Sequence, residues 1–300
     1  MPLPRQPAGS TGASVSPLGI GALAVGDDPE RVVRSTTRLL DAGCNLIDTA
    51  ACYPGHEELI GRHLSQRRDD YLLISKCGHH DKLPDGRLRS RPIAIADVDA
   101  ALRRLRTDHL DGMLLHSYDL EPLQAGDALA VLARAREQGK IRWVGYAGDN
   151  AAAAWAAEQE LVQVIECSCS IADQHNIDQL VPICRRRGVL VIAKKPIANA
   201  SWRYIGRRDE AHPANRAYVD RLAALDLRPE DYGCSDMAEL ALRFTLAIDG
   251  LHCAIVSASD PAHQDANLAA VERGPLAEAA VAELRRRFAA SSQGQWLGCN

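Results

Sequence analysis

Residues 45–53, Asn45-Leu46-Ile47-Asp48-Thr49-Ala50-Ala51-Cys52-Tyr53, decide how the rest of the chain is read. Asn45 to Ile47 reads as a short buried strand. It runs into a loop that delivers the carboxylate of Asp48 and, five residues later, the phenol of Tyr53. Pro54 and Gly55 break the chain before a helical pattern resumes. The next two apolar runs end in the same manner: Tyr71-Leu72-Leu73-Ile74-Ser75 leads to Lys76, and Gly112-Met113-Leu114-Leu115 leads to His116. Each residue alone has an ordinary explanation. Asp48 could cap a turn, Tyr53 could be a packed aromatic, Lys76 a solvated strand end and His116 a near-core imidazole. Their joint arrival at three successive strand ends points instead to proton transfer.

The same alternation continues on both sides. Strand candidates are Leu18–Ala22, Asn45–Ile47, Tyr71–Ser75, Leu110–Leu115, Ile141–Tyr146, Leu161–Cys167, Val189–Ala193 and His252–Val256. Helical patterns follow them: one opened by Pro29 and ended by Gly43, then Glu57–Arg67, Ile93–Leu105, Asp127–Gln138, Ala151–Glu160 and Ile177–Arg187. Asn215–Leu225, Ser235–Ile248, Pro261–Val271 and Pro275–Ala290 complete the series. The strands are short and uniformly apolar, as strands covered on both faces are. An eightfold β/α alternation over 300 residues predicts a TIM-type (β/α)8 barrel, a single domain over residues 17–290, with a loose arm at 1–16 and a polar tail at 291–300. An open doubly wound sheet is the competing α/β fold, but Gly19-Ile20-Gly21-Ala22-Leu23-Ala24-Val25-Gly26 lacks the spacing of a dinucleotide-binding turn.

Composition narrows the function. The formal charge of −4 argues against nucleic acid and against an acidic membrane surface. No run approaches about 18 uninterrupted apolar residues, so no membrane span is expected. Nine scattered cysteines, an odd number with no C-x-x-C pair, suit core packing in a reducing, cytoplasmic setting. Nothing calls for a metal. His56, His79 and His80 lie near the expected rim and read as solvated loop residues, with contact to a polar substrate or a stray metal as the alternative.

In a β/α barrel, chemistry sits at the C-terminal ends of the strands. Adjacent strands lie about 4.8 Å apart, so Asp48, Tyr53, Lys76 and His116 can converge there. A carbonyl that accepts a hydride needs a proton, and a phenol can donate one. An unperturbed phenol has a pKa of about 10, and bringing it near 7 takes about 4 kcal/mol. One ammonium about 4 Å away supplies roughly that at an effective dielectric of about 20. Lys76 is the candidate, with Asp48 holding it and His116 orienting the carbonyl or sharing the proton.

These residues, in the motifs Asp48-Thr49-Ala50 with Tyr53, Ser75-Lys76-Cys77-Gly78, Leu115-His116 and Gly139-Lys140-Ile141-Arg142-Trp143-Val144-Gly145, resemble the aldo-keto reductase superfamily from about Gly12 to Leu276. The resemblance implies a carbonyl reductase that uses NADPH/NADP and acts on a small carbonyl or alcohol substrate. The cofactor would lie across the C-terminal rim against Gly21, Glu166, Lys194, Ser257, Ser259, His263 and Asn267. Where many members carry Ser-Asn for the nicotinamide carboxamide, this chain has Ala147-Gly148. Glu166 stands where Gln is frequent, and Lys194-Lys195 where an aromatic commonly stacks on the ring. No Lys or Arg occurs from Ser257 to Asn267, which leaves NADH open beside NADPH. An ionised Glu166 beside the nicotinamide would favour the oxidised, cationic ring, unless it is paired away, by Lys194 for example. The long connection from Pro196 to Pro213, with Trp202 and Arg203, is expected over the cofactor or along the substrate pocket. Two other classes of function remain at this point: a non-catalytic nicotinamide-binding subunit, and a barrel lyase using Lys76 as a Schiff base.

Overall fold

The computed structural model describes residues 3–26, 28–79, 81–82 and 88–299. Eight parallel strands close into a barrel: β1 (Leu18–Ile20), β2 (Leu46–Asp48), β3 (Leu72–Cys77), β4 (Leu110–His116), β5 (Ile141–Ala147), β6 (Val162–Ser168), β7 (Leu190–Lys194) and β8 (Cys253–Val256). Each strand pairs with its neighbours in chain order, and β8 closes on β1 through Ala254 opposite Leu18 and Val256 opposite Ile20. The principal helices are α1 (Pro29–Asp41), α2 (His56–His63), α3 (Ile95–Leu105), α4 (Asp127–Glu137), α5 (Asn150–Ala157), α6 (Val181–Arg187), α7 (Arg216–Leu225), α8 (Met237–Leu246), α9 (Pro261–Glu272) and α10 (Glu278–Ser292). The expected β/α barrel is therefore the observed fold.

The strands' uniform apolarity has a direct cause. Alternate residues pack in two separate cores. Leu46, Ile74, Leu114, Trp143, Val164, Ile192 and Ile255 fill the barrel interior. Their neighbours Ile47, Leu73, Met113, Leu115, Ile165, Val191 and Val256 face the helices. Both sets need to be apolar, so the period-two signal of a one-faced strand is missing. At the crowded β1–β8 contact only glycine fits: a Cβ on Gly19 would come within 2.8 Å of the Cys253 sulfur and 3.0 Å of Ile255.

Two boundaries differ from the expected ones. The N-terminal residues do not form a loose arm. Gln6–Pro7 and Ser14–Val15 pair antiparallel, and Ala8 and Val15 are fully buried against the interior core. Asn45, at the foot of β2, fastens this hairpin by accepting from the Ser16 amide at 2.7 Å and donating to the Ser14 carbonyl at 2.8 Å. The helix expected over Glu57–Arg67 stops at His63, and a 3-10 segment covers Ser65–Asp70. Arg68 there turns inward to Asp111 at 2.7 Å, and Asp111 in turn accepts from the Leu73 amide at 2.8 Å.

Candidate active site

Six of the residues singled out from the sequence are the next inward positions along their strands. Two residues past interior Leu46 comes Asp48; past Ile74, Lys76; past Leu114, His116; past Val164, Glu166; past Ile192, Lys194; past Ile255, Ser257. Below this layer the interior is apolar, and at it the side chains turn polar. The layer is thus the floor of the C-terminal mouth. Ladder register places Asp48 opposite Ile74, Lys76 opposite Leu114, and both His116 and Glu166 opposite Ala147.

Lys76 is the centre of the site and is 1% exposed. Its ammonium lies 2.5 and 2.6 Å from the two Asp48 oxygens and donates to the Thr49 carbonyl at 3.2 Å. Glu166 supplies a second carboxylate, with Oε2 3.2 Å from the Lys76 nitrogen. That oxygen is buried and makes no hydrogen bond among the described residues. Lys194, which could have drawn Glu166 away, pairs instead with Asp149 at 3.1 Å. Burial alone would lower the Lys76 pKa, but Asp48, Glu166 and Tyr53 raise it well above its ordinary value. The amine is held protonated, which removes the neutral nucleophile that a Schiff base requires. Burial and then the Glu166 charge push the Asp48 carboxyl up, against the pull of Lys76.

Tyr53 stands over this group, with its ring centroid 5.5 Å from the Lys76 nitrogen. Lys76 is the largest single influence on the phenol and pulls its pKa down, as anticipated. Burial, Asp48, Glu166 and Cys52 together push harder the other way, and the net shift is upward. The expected depression towards 7 is thus not what the protein alone produces, because burial and two nearby carboxylates outweigh one ammonium. A neutral phenol is the resting form, and a neutral phenol is a proton donor. His116 lies edge-on to Tyr53 at 6.0 Å between centroids. Its Nδ1 is 3.4 Å from the Cys52 sulfur, and its ring is 4.5 Å from that of His79.

A cavity of about 1250 Å³ opens above the floor. Asp48 and Tyr53 line it, and so do Gly21, Glu166, Lys194, Ser257, Ser259, His263 and Asn267, the complete set assigned to a cofactor from the sequence. It reaches the start of α9, where Asp260 caps the helix by accepting from the Ala262 amide. Pro196, Ile197, Trp202 and Arg203 of the long connection form another wall. Gly21 permits the floor's close packing: a Cβ there would come within 2.7 Å of the Ser257 hydroxyl. The cavity's extent and the aligned polar layer fit an extended dinucleotide. Of the two arginines in the wall, Arg203 belongs to the long connection expected there, whereas Arg31 of α1 was not foreseen. They come from segments remote in sequence from the 257–267 loop.

Two further expectations change. His56 is not a solvated loop residue. It is buried, its Nδ1 sits 2.9 Å from the Thr49 hydroxyl, and burial with the nearby Lys76 charge lowers its pKa to about 4. His80 lies outside the described residues. The missing Ser-Asn pair also has a local reason. The Tyr146 hydroxyl donates to the Tyr118 carbonyl, and a Cβ on residue 148 would come within 2.6 Å of that hydroxyl. Behind Gly148, Asp149 is 2% exposed and fully used. It accepts from the Ser168 amide at 2.7 Å, the Ser168 hydroxyl at 2.9 Å and the Asn176 amide nitrogen at 2.7 Å.

Comparison with known proteins now decides the family. The profile of the aldo/keto reductase family matches residues 17–287. The chain belongs to the aldo/keto reductase family. Among curated relatives, this aldo/keto reductase is 28% identical to an L-galactose dehydrogenase of Arabidopsis thaliana, over 88% of this chain and 86% of that protein. It is 30% identical to an NADH-specific methylglyoxal reductase of Escherichia coli K12, over 64% of this chain and 66% of that one. The holo form of an aldo-keto reductase from Bacillus halodurans superposes with a TM-score of 0.79 at 25% identity, covering 95% of this chain and 96% of that one. The protein is therefore an oxidoreductase, and the readings as a non-catalytic subunit and as a lyase fall away.

Proposed function

We propose that this aldo/keto reductase interconverts a small aldehyde, ketone or sugar-like carbonyl with its alcohol, using NADPH or NADH held in the cavity. The observation that carries this reading is the fully buried Lys76, clamped by Asp48 directly beneath Tyr53 at the cavity floor. The nicotinamide cofactor, when bound, supplies or accepts the hydride. Tyr53 donates its hydroxyl proton to the carbonyl oxygen, and Lys76 stabilises the phenolate left behind. Asp48 keeps Lys76 charged and in place, and His116 orients the oxygen. Gly21, Lys194, Ser257, Ser259, His263 and Asn267 are the cofactor's contacts. Arg31 and Arg203 supply the positive charge that the 257–267 loop lacks. Relatives named as a dehydrogenase of a sugar and as a reductase of a ketoaldehyde support the substrate class.

The test is fluorescence titration with NADPH and NADH in parallel, then turnover with methylglyoxal and a panel of aldehydes and aldoses. Tyr53→Phe is expected to lower turnover about 10²–10⁴-fold, the usual contribution of a positioned acid, with cofactor affinity retained. Wild-type turnover in Tyr53→Phe, or no binding of either cofactor, would overturn the reading.

Glu166 favours a second element. It and Asp48 are two carboxylates at one ammonium, with Glu166 Oε2 buried 3.2 Å from the Lys76 nitrogen. A surplus negative charge at the nicotinamide favours the oxidised ring, so the enzyme binds oxidised cofactor preferentially and runs readily towards alcohol oxidation.

A further inference from the structure

A second group of reactive side chains lies on the other side of Tyr53 and takes no direct part in the scheme above, apart from His116. Cys52 comes from the loop after β2, His79 from just beyond β3, and His116 from the end of β4. One ligand atom from each lies within 4.8 Å of the other two. Cys52 Sγ and His116 Nδ1 are already 3.4 Å apart. Around a tetrahedral zinc ion, with Zn–S about 2.3 Å and Zn–N about 2.0–2.1 Å, neighbouring ligand atoms sit about 3.4–3.6 Å apart. The cysteine–histidine pair therefore has its bound spacing, and His79 brings a ring nitrogen within 4.8 Å of both. Among the nine free cysteines Cys52 alone is exposed, Cys299 being half-buried and the others buried.

We propose that Cys52, His79 and His116 form a binding site for a borderline-soft divalent cation, zinc being the natural probe, at the mouth of the active site. A thiolate with two imidazoles matches the ligand softness that zinc and cobalt(II) prefer over magnesium or calcium. The thiol proton leaves as the cation binds. Three protein ligands leave the fourth position to water. The site is regulatory rather than catalytic: a cation that fixes the His116 ring competes with the carbonyl oxygen for it. This consequence rests on the role proposed for His116, whereas the binding itself does not.

Cobalt(II) titration of the full chain separates the two. Wild-type protein is expected to develop a thiolate-to-cobalt charge-transfer band that zinc abolishes. Cys52→Ser should lose the band. Loss of an outer partner of a metal ligand already costs about 10–100-fold in affinity, so His79→Ala, which removes a ligand itself, should weaken binding at least tenfold. Cys299→Ala and Tyr53→Phe should bind as wild type. Absence of the band at submillimolar cobalt, or its survival in Cys52→Ser, overturns the site. In turnover assays zinc should raise the KM for the carbonyl in wild type and not in Cys52→Ser, each compared with its own metal-free rate. A cobalt band without any zinc effect on KM would uphold the site and remove His116 from carbonyl binding.

Discussion

Two buried polar clusters lie near each other at the C-terminal end of the barrel, and they are built on opposite terms. In one, Lys76 sits between Asp48 and Glu166, and a Glu166 oxygen has no hydrogen-bond partner. In the other, Asp149 is as deeply buried, yet both of its oxygens are occupied, by Ser168, Asn176 and Lys194. Buried polar groups are normally satisfied, because leaving one unpaired costs about 1–3 kcal/mol or more. Asp149 itself obeys that rule, whereas Glu166 breaks it where the cavity opens and Asp173 Oδ1 breaks it beside the tail. The chain's end reinforces the contrast. Residues 295–299 cover the Asp149 side: the Cys299 carbonyl accepts from Lys195 at 2.6 Å, and Gly298 and Asn150 exchange two hydrogen bonds. One cluster holds the structure closed. The other is left with charge to spend on a ligand.

The sharpest way to break this comparison is to remove Asp149. Asp149→Ala strips the partner from Lys194, Asn176 and Ser168, a loss of the size measured for broken buried pairs, about 3–5 kcal/mol. Thermal unfolding followed by circular dichroism should show Tm lowered by roughly 10 °C, while the folded protein keeps its turnover. Lost turnover at an unchanged Tm would mean that this cluster belongs to the chemistry.

The clusters should also respond oppositely to pH. His56, beside the Lys76 group, has its folded-state pKa lowered from 6.5 to about 4. The unfolded chain therefore takes up the proton first, and this contribution is lost as pH falls from about 6.5 to about 4. Asp173, beside the tail, is raised by burial from 3.8 to about 6. Its contribution is complete below about pH 4 and is lost as pH rises through about 6. Each amounts to about 3 kcal/mol. Urea unfolding between pH 4 and 7 should show His56→Gln flattening the rise in stability with pH and Asp173→Asn flattening the fall. Parallel pH profiles for the two variants and the wild type would dismiss both assignments.

The smallest expected effect sharpens the comparison instead. Glu166→Gln removes the surplus charge and supplies a hydrogen-bonding amide of the same shape. The ratio of affinities for oxidised over reduced cofactor should fall about tenfold, equivalent to about 1.4 kcal/mol. An unchanged ratio in parallel titrations would show that the Glu166 charge does not reach the nicotinamide.

Much of the floor was legible because it is locally encoded. Asp48, Lys76 and His116 each follow an apolar strand directly, and a strand's end is marked within a few residues. Glu166, Lys194 and Ser257 were found by resemblance, although a local signal exists for them as well: each stands two positions beyond an interior residue. Reading that signal requires knowing which parity faces inward, and strands that are apolar on both faces conceal it. The rise of the Tyr53 pKa was not legible, since it depends on how deeply the phenol is buried and on Glu166, 113 residues away, joining Asp48 around one ammonium.

By itself the sequence determined the alternation of strand and helix, the barrel that follows from it, and the positions of the four residues proposed for proton transfer. These depend on patterns that repeat within a few residues and on where each strand stops. Only the tertiary structure decided that Glu166 pairs with Lys76 rather than Lys194, that the N-terminal residues plug the barrel, that the tail covers Asp149's side, and that Cys52 meets His79 and His116. Each of those depends on which strands become neighbours when β8 closes on β1, and on competition among buried charges for a limited number of partners. Such competition is settled by distances of a few ångströms between residues remote in the chain, which no local pattern records.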